Sequence, residues 1–299
     1  MKKMCSVWSA MLLMLWILIP ASAAAAQLYG VNPFANDATN PPSSYGLFDL
    51  DYNTGAITDG RVITLVGYTI TGALAITRDP TTGLVYAILK ARGVSGRLLA
   101  TIEVTSGVAT LVGNLGDNFS SLAFRSDGQL FGVTGDGATV SETLYMIDKS
   151  NAGKTLITHL GHGADGEVIA YNPNDNSFYH WSGNGTVVFE RVLAQAPYTV
   201  TPIFTGSVGG EIFGAVWDPT RGLFLVHNIA NRMSSWTTTG VRSDIQAPTS
   251  TDVRGLLLVP DVVAVGKAVP SLSEWGIVML SAIMAVLVAA SRRRVIRQR

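Results

Sequence analysis

A strand, a polar turn and a second strand recur four times in this chain, and that recurrence constrains the fold more than any single motif. The copies read ALAITRDPTTGLVYAI, SLAFRSDGQLFGVT, VIAYNPNDNSFYHW and GAVWDPTRGLFLVH. Their turn positions, Gly83, Gly128, Asn176 and Gly222, fall at spacings of 45, 48 and 46 residues. A second element keeps the same period: TLVGN, THLGH and IFTGS follow the first three hairpins, and TLVGY precedes the first. Its glycines, Gly67, Gly113, Gly161 and Gly206, lie 46, 48 and 45 residues apart. Two independent marks on one period identify a repeat.

A period near 46 residues holds four short strands with their turns, the size of one β-propeller blade. Asp-Pro opens two of the turns with φ preset, and Gly or Asn accepts the positive φ that closes them. No stretch of the body carries sustained helical periodicity, so the fold class is all-β. The ends of the repeat complement each other. LYGVN at Leu28–Asn32 looks like a second strand without a first, and GLLLVPD at Gly255–Asp261 looks like a first strand without a second. Pairing them closes a ring and removes its open edges. The count is four continuous blades and one split closing blade, five in all. The last interval, Gly214 to Gly255, is a degenerate 41 residues, so a differently divided ring or an open β-solenoid is the alternative.

The N-terminus has the form of an export signal. Lys2 and Lys3 precede an apolar run, Met11–Ile19, which ends at Pro20 and a series of small residues. Cleavage after Ala26 starts the mature chain at Gln27, with Ala23 as the other candidate site. Cys5, the sole cysteine, lies before the apolar run, so the mature chain carries neither a lipid-accepting cysteine nor a disulfide.

The C-terminus is more specific. It reads VPSLSEWG at Val269–Gly276, then an apolar run, then SRRRVIRQR to Arg299. Pro270, Leu272, Trp275 and Gly276 match the pattern Ile-Pro-Thr-Leu-x-x-Trp-Gly. Val269 stands for the isoleucine and Ser271 for the threonine, with Ser273 and Glu274 in the variable pair. On these residues the segment resembles the IPTL-CTERM family of bacterial sorting signals, relatives of the PEP-CTERM signals processed by exosortases. The resemblance implies an exosortase-type processing enzyme as partner and a destination at the cell surface or in the extracellular matrix. The apolar run is expected to form a transmembrane helix in the inner membrane during processing. Arg292, Arg293 and Arg294 are expected to act as stop-transfer residues on its cytoplasmic side. Gly276 to Ala290 is about 15 residues, roughly 22 Å of helix, against a hydrocarbon core of about 30 Å.

The expected organisation is a signal peptide with its helix over 1–26, a propeller over 27–261, a linker over 262–268 and the sorting signal over 269–299. The full chain holds 21 basic and 21 acidic residues. Losing both signals removes seven of the basic residues and Glu274, which leaves the body at a net charge of about −6. An acidic surface argues against nucleic acid as a partner.

Chemical motifs in the body are sparse. His159 and His162 lie near Asp165 and Glu167, but a metal needs three or four converging ligands and turn chemistry accounts for the same residues. GHGADG at Gly161–Gly166 has the letters of a dinucleotide loop without the helix that must follow it. Asp79, Asp127, Asp175 and Asp218 recur in the hairpin turns, as Asx-turn residues do and as an asymmetric catalytic site does not. Tyr179, Trp181, Trp217 and Trp236 are candidates for stacking on sugars or for packing between blades. The body therefore reads as a non-enzymatic propeller without cofactor or metal, binding extracellular polysaccharide or a surface protein. The alternative is a propeller hydrolase or lactonase with an axial metal site.

Overall fold

The turn residues do what their chemistry requires. Gly83, Gly128, Asn176 and Gly222 all take positive φ, at 78°, 81°, 49° and 67°. Each closes a hairpin whose strands then pair antiparallel. In the computed structural model these hairpins are the inner halves of sheets that together form one compact unit, Ala26–Pro260. The described residues are 26–35, 45–160, 167–183, 187–206, 210–230, 232–245 and 252–259, with the single positions 279 and 283.

Five sheets make five blades. Blade 1 is split, running outward as β21 (Arg254–Val259), β1 (Gln27–Val31), β2 (Leu47–Leu50) and β3 (Ile57–Arg61). Blade 2 contains β5 (Ile70–Arg78), β6 (Val85–Ala91), β7 (Leu98–Ile102) and β8 (Val108–Asn114), with β4 (Thr64–Leu65) at its rim. Blade 3 is β9 (Phe119–Phe124), β10 (Leu130–Thr134), β11 (Thr143–Ile147) and β12 (Lys154–His159). Blade 4 is β13 (Val168–Asn172), β14 (Ser177–Ser182), β15 (Val187–Leu193) and β16 (Val200–Gly206). Blade 5 is β17 (Ile212–Asp218), β18 (Leu223–Asn228), β19 (Met233–Trp236) and β20 (Arg242–Asp244).

The ring closes as the terminal strands predict. Leu28 pairs with Leu258, Tyr29 with Leu257 and Gly30 with Leu256. The inner strands β21, β5, β9, β13 and β17 touch in that order, and β17 returns to β21. Small residues allow this approach. A Cβ at Gly214 would lie 2.9 Å from the Gly255 backbone, and one at Gly255 would lie 2.7 Å from Ala75 Cα.

The core is divided among the junctions. Five buried apolar clusters lie one between each pair of neighbouring blades. The turns add polar ties across the same junctions. Asp79 of blade 2 is fully buried and accepts from Lys149 of blade 3 at 2.5 Å. Asp218 of blade 5 accepts from the Tyr52 hydroxyl of blade 1 at 2.6 Å. Arg125 of blade 3 donates to the Ala194 carbonyl of blade 4 at 2.6 Å.

Three expectations need revision. The first concerns the flanking helices. Among the described residues only Met279 and Ile283 are helical, and no described helix is long and apolar enough to cross a membrane. The physical reason lies in the length of the apolar run, about 15 residues where a spanning helix needs about 20. The transmembrane helix is withdrawn, and no described helix supports the inner-membrane passage. The signal helix over 1–26 is withdrawn with it: apart from Ala26, that segment lies outside the described residues.

The second revision concerns TLVGY. Of its relatives, TLVGN lies on β8, THLGH begins on β12 with Thr158 and His159, and IFTGS runs along β16 to Gly206, but TLVGY supplies β4, which pairs in parallel with β8 of the next blade. The rim of its own blade is β3 instead.

The third concerns the four turn aspartates, which are not equivalent. Asp79 and Asp218 open their turns and accept backbone N–H bonds from Thr81 at 2.8 Å and from Thr220 at 2.9 Å. In blade 4 that role belongs to Asn172, whose side chain accepts from the Asn174 N–H at 3.0 Å. Asp127 and Asp175 directly precede the positive-φ residue; Asp127 pairs with Arg125 at 2.7 Å and Asp175 accepts from the Tyr179 hydroxyl at 2.7 Å.

Candidate functional site

The inner strands carry apolar residues on their inward side, and these line the central opening. A cavity of about 210 Å³ is walled by all five blades, with Thr77, Phe124, Tyr171, Trp217 and Leu256 among its lining. No histidine, aspartate or glutamate contributes to that lining. An axial metal site needs such ligands from several blades, so the lining does not fit the hydrolase or lactonase reading. Among the described residues there is no group of three or more His, Cys, Asp or Glu side chains placed to hold a metal.

The histidines are dispersed. His159 is exposed on β12, where its Nδ1 meets Thr143 Oγ1 at 2.9 Å. His162 and Asp165 lie outside the described residues. Glu167, grouped with these in the sequence, faces a different partner, His180 of β14. The His180 Nε2 and Glu167 Oε2 are 2.5 Å apart, and His180 Nδ1 lies 2.9 Å from Glu190 Oε1 on β15. Ser182 donates to Glu167 Oε1 at 2.8 Å. All four residues are buried. Sequence spacing hides this cluster, because His180 and Glu190 meet only through the β14–β15 register, in which they are direct partners.

The two buried histidines respond oppositely to their surroundings. Burial alone would lower His180, but the bonds and charges of Glu167 and Glu190 override it and raise the imidazole to about 9. His227 lacks such partners. Burial pushes it down to about 4, against a weaker upward pull from a hydrogen bond to the Val253 backbone. A histidine depressed in the folded state contributes stability above its unfolded value of about 6.5, and that contribution is lost as pH falls through 6.5 toward 4. Replacing His227 with Gln is therefore expected to shrink the loss of stability between pH 7 and pH 4 by roughly 1–3 kcal/mol. Urea unfolding of both proteins at the two pH values measures this, and parallel acid limbs would refute it.

The aromatic candidates resolve into packing. Trp181 stacks on Phe189 with centroids 4.7 Å apart and meets Phe224 and Trp236 edge-on. Tyr179 and Trp236 belong to the same cluster between blades 4 and 5. Trp217 packs on Phe224 at 4.9 Å and is the one of the four that also lines the central cavity. The sorting residues Val269, Pro270, Ser271, Leu272, Glu274, Trp275 and Gly276, and Arg292, Arg293 and Arg294, lie outside the described residues.

No protein of curated function matches the chain. Solved structures similar to it include a protein of unknown function from Bacteroides thetaiotaomicron, at 17% identity over 74% of this chain and 50% of that one, with a TM-score of 0.43. This chain thus spans half the length of that protein. TolB from Acinetobacter baumannii is 14% identical over 85% of this chain and 70% of its own, with a TM-score of 0.47. Virginiamycin B lyase from Staphylococcus aureus is 14% identical over 75% of each chain, with a TM-score of 0.42. All three fall below 25% identity and a TM-score of 0.5, so the fold rests on the strand pairing itself. The C-terminal comparison is of another kind: residues 267–294 match the IPTL-CTERM motif, and the chain carries that sorting signal at its C-terminal end.

Proposed function

We propose that this chain is an exported bacterial surface or matrix protein whose propeller binds without catalysing a reaction, and whose C-terminal signal is processed by an exosortase-type enzyme. The observation that carries the reading is the match over residues 267–294, since such a signal implies export and processing. The largely apolar lining of the central cavity supports a binding role for the body, because it offers a substrate no histidine or carboxylate. The ligand class that suits a surface protein is an extracellular polysaccharide or another surface protein. In this reading residues 1–26 are removed on export, 27–261 form the working body, and 262–268 link it to the signal over 269–299. Pro270 and Trp275 set the shape that the enzyme reads, and Arg292, Arg293 and Arg294 form the basic end of the same signal.

The mature protein is expected to lack everything beyond the motif. Replacing Pro270 or Trp275 with Ala should leave a chain that still ends at Arg299. Mass spectrometry of protein from cells that contain such an enzyme decides it. A parent chain recovered intact to Arg299 would remove the processing claim.

A further inference from the structure

The buried cluster in blade 4 plays no part in that proposal, yet it lies at a junction that must hold for the ring to stay closed. We propose that Glu167, His180 and Glu190 form a proton-operated latch between blades 3 and 4. While the imidazole carries both ring protons, it donates one to each carboxylate, at 2.5 Å to Glu167 and 2.9 Å to Glu190. Glu167 also reaches across the junction. Its backbone carbonyl accepts from Ser120 Oγ of blade 3 at 2.6 Å, and its side chain packs over Gly135 of the same blade. The neighbouring tie, Ser121 Oγ with the Ile169 backbone at 3.1 and 3.3 Å, continues along the same seam.

Loss of one ring proton breaks the symmetry. A neutral imidazole has one donor, so one carboxylate is left facing a ring lone pair inside the protein, which is costly. Glu190 sits within β15, paired to strands on both sides, whereas Glu167 stands just before β13, outside the ladder. Glu167 is the member able to withdraw, and its movement takes the Ser120 bond with it. The charges that raise the ring are the carboxylates of Glu167 and Glu190. Blade 3 presents Ser120 and Gly135 to the cluster, neither of them ionisable.

The ring is raised from 6.5 to about 9 in the folded protein, so the latch stabilises the fold fully below about pH 6.5 and loses that contribution as pH rises through 9. Hydrogen exchange of the full chain, corrected for the intrinsic rate, tests the idea at pH 7 and pH 10. Amides of Val168–Asn172 should lose protection about tenfold or more between the two, while those of Val85–Ala91 in blade 2 hold theirs. In Glu190→Gln the amide can donate to the ring lone pair, so the alkaline step should disappear. If that variant does not fold, nitrogen NMR of the parent still decides, with two ring N–H groups on His180 expected at pH 7 and one at pH 10. Unchanged protection at Val168–Asn172 through pH 10, an unaltered step in Glu190→Gln, or a singly protonated ring at pH 7 would overturn the latch.

Discussion

A chain ending at Val253 should lose its cooperative thermal transition, while one ending at Pro260 keeps the transition of the full protein. The difference between them is β21 and the proline that follows it. β21 is the innermost strand of the split blade, paired along its length with β1 and in contact with β5 and β17 on either side. Its apolar residues serve two junctions at once: Leu257 belongs to the cluster between blades 1 and 2, and Leu256 and Leu258 to the cluster between blades 5 and 1. Losing the strand opens both clusters to water and bares the edge of β1, a row of unpaired backbone groups prone to pair with other chains. Burial of a leucine contributes about 2 kcal/mol, and three are lost with the backbone ladder, which exceeds half the stability of a typical domain. Calorimetry and size-exclusion chromatography of the two truncated chains make the test. A Val253 chain that melts like the Pro260 chain would mean that the ring does not depend on its closing strand.

Replacing Trp181 with Ala should cost about 3–5 kcal/mol, as expected for a fully buried tryptophan. Trp181 is fully buried between blades 4 and 5 and touches Phe189, Phe224 and Trp236 at centroid distances of 4.7, 5.2 and 6.2 Å. Ala leaves a void that these rigid rings cannot collapse into, since each is held by its own strand. Trp181→Phe should recover much of the loss. The indole Nε1 is buried without a partner among the described residues, so Phe removes an unsatisfied donor while keeping a ring in the stack. Urea unfolding at one pH gives both numbers, with the midpoint falling and the slope unchanged. A loss of less than 1 kcal/mol in Trp181→Ala would show that the junction repacks freely and that the ring has some other purpose.

Much of the architecture was legible in the chain because turns are local. Gly83, Gly128, Asn176 and Gly222 announce positive φ, and the structure gives positive φ at all four. Their even spacing then fixes the size of a blade, and the two unpaired half-hairpins at the ends identify the closing partners. The same locality misled in three places. TLVGY keeps the period of TLVGN, THLGH and IFTGS, yet it crosses to the neighbouring blade as β4. The repeated aspartates looked interchangeable, yet Asp79 and Asp218 open their turns and tie neighbouring blades while Asp127 and Asp175 sit one step before the turn's end. An apolar run followed by arginines suggested a membrane helix, whereas no helix among the described residues is long and apolar enough to cross a membrane.

By itself the sequence determined the all-β class, the blade period, the pairing of Leu28–Val31 with the strand near Leu258, and the sorting signal over residues 267–294. Each of these depends on residues within a few positions of one another, or on a period that repeats along the chain. Tertiary structure alone decided which polar side chains meet. Glu167, His180 and Glu190 come from three segments, and a shift of one residue in the β14–β15 register would turn His180 to the other face of the blade. Likewise the central cavity takes its largely apolar lining only when five inner strands meet around it, an outcome of ring closure that no single repeat encodes.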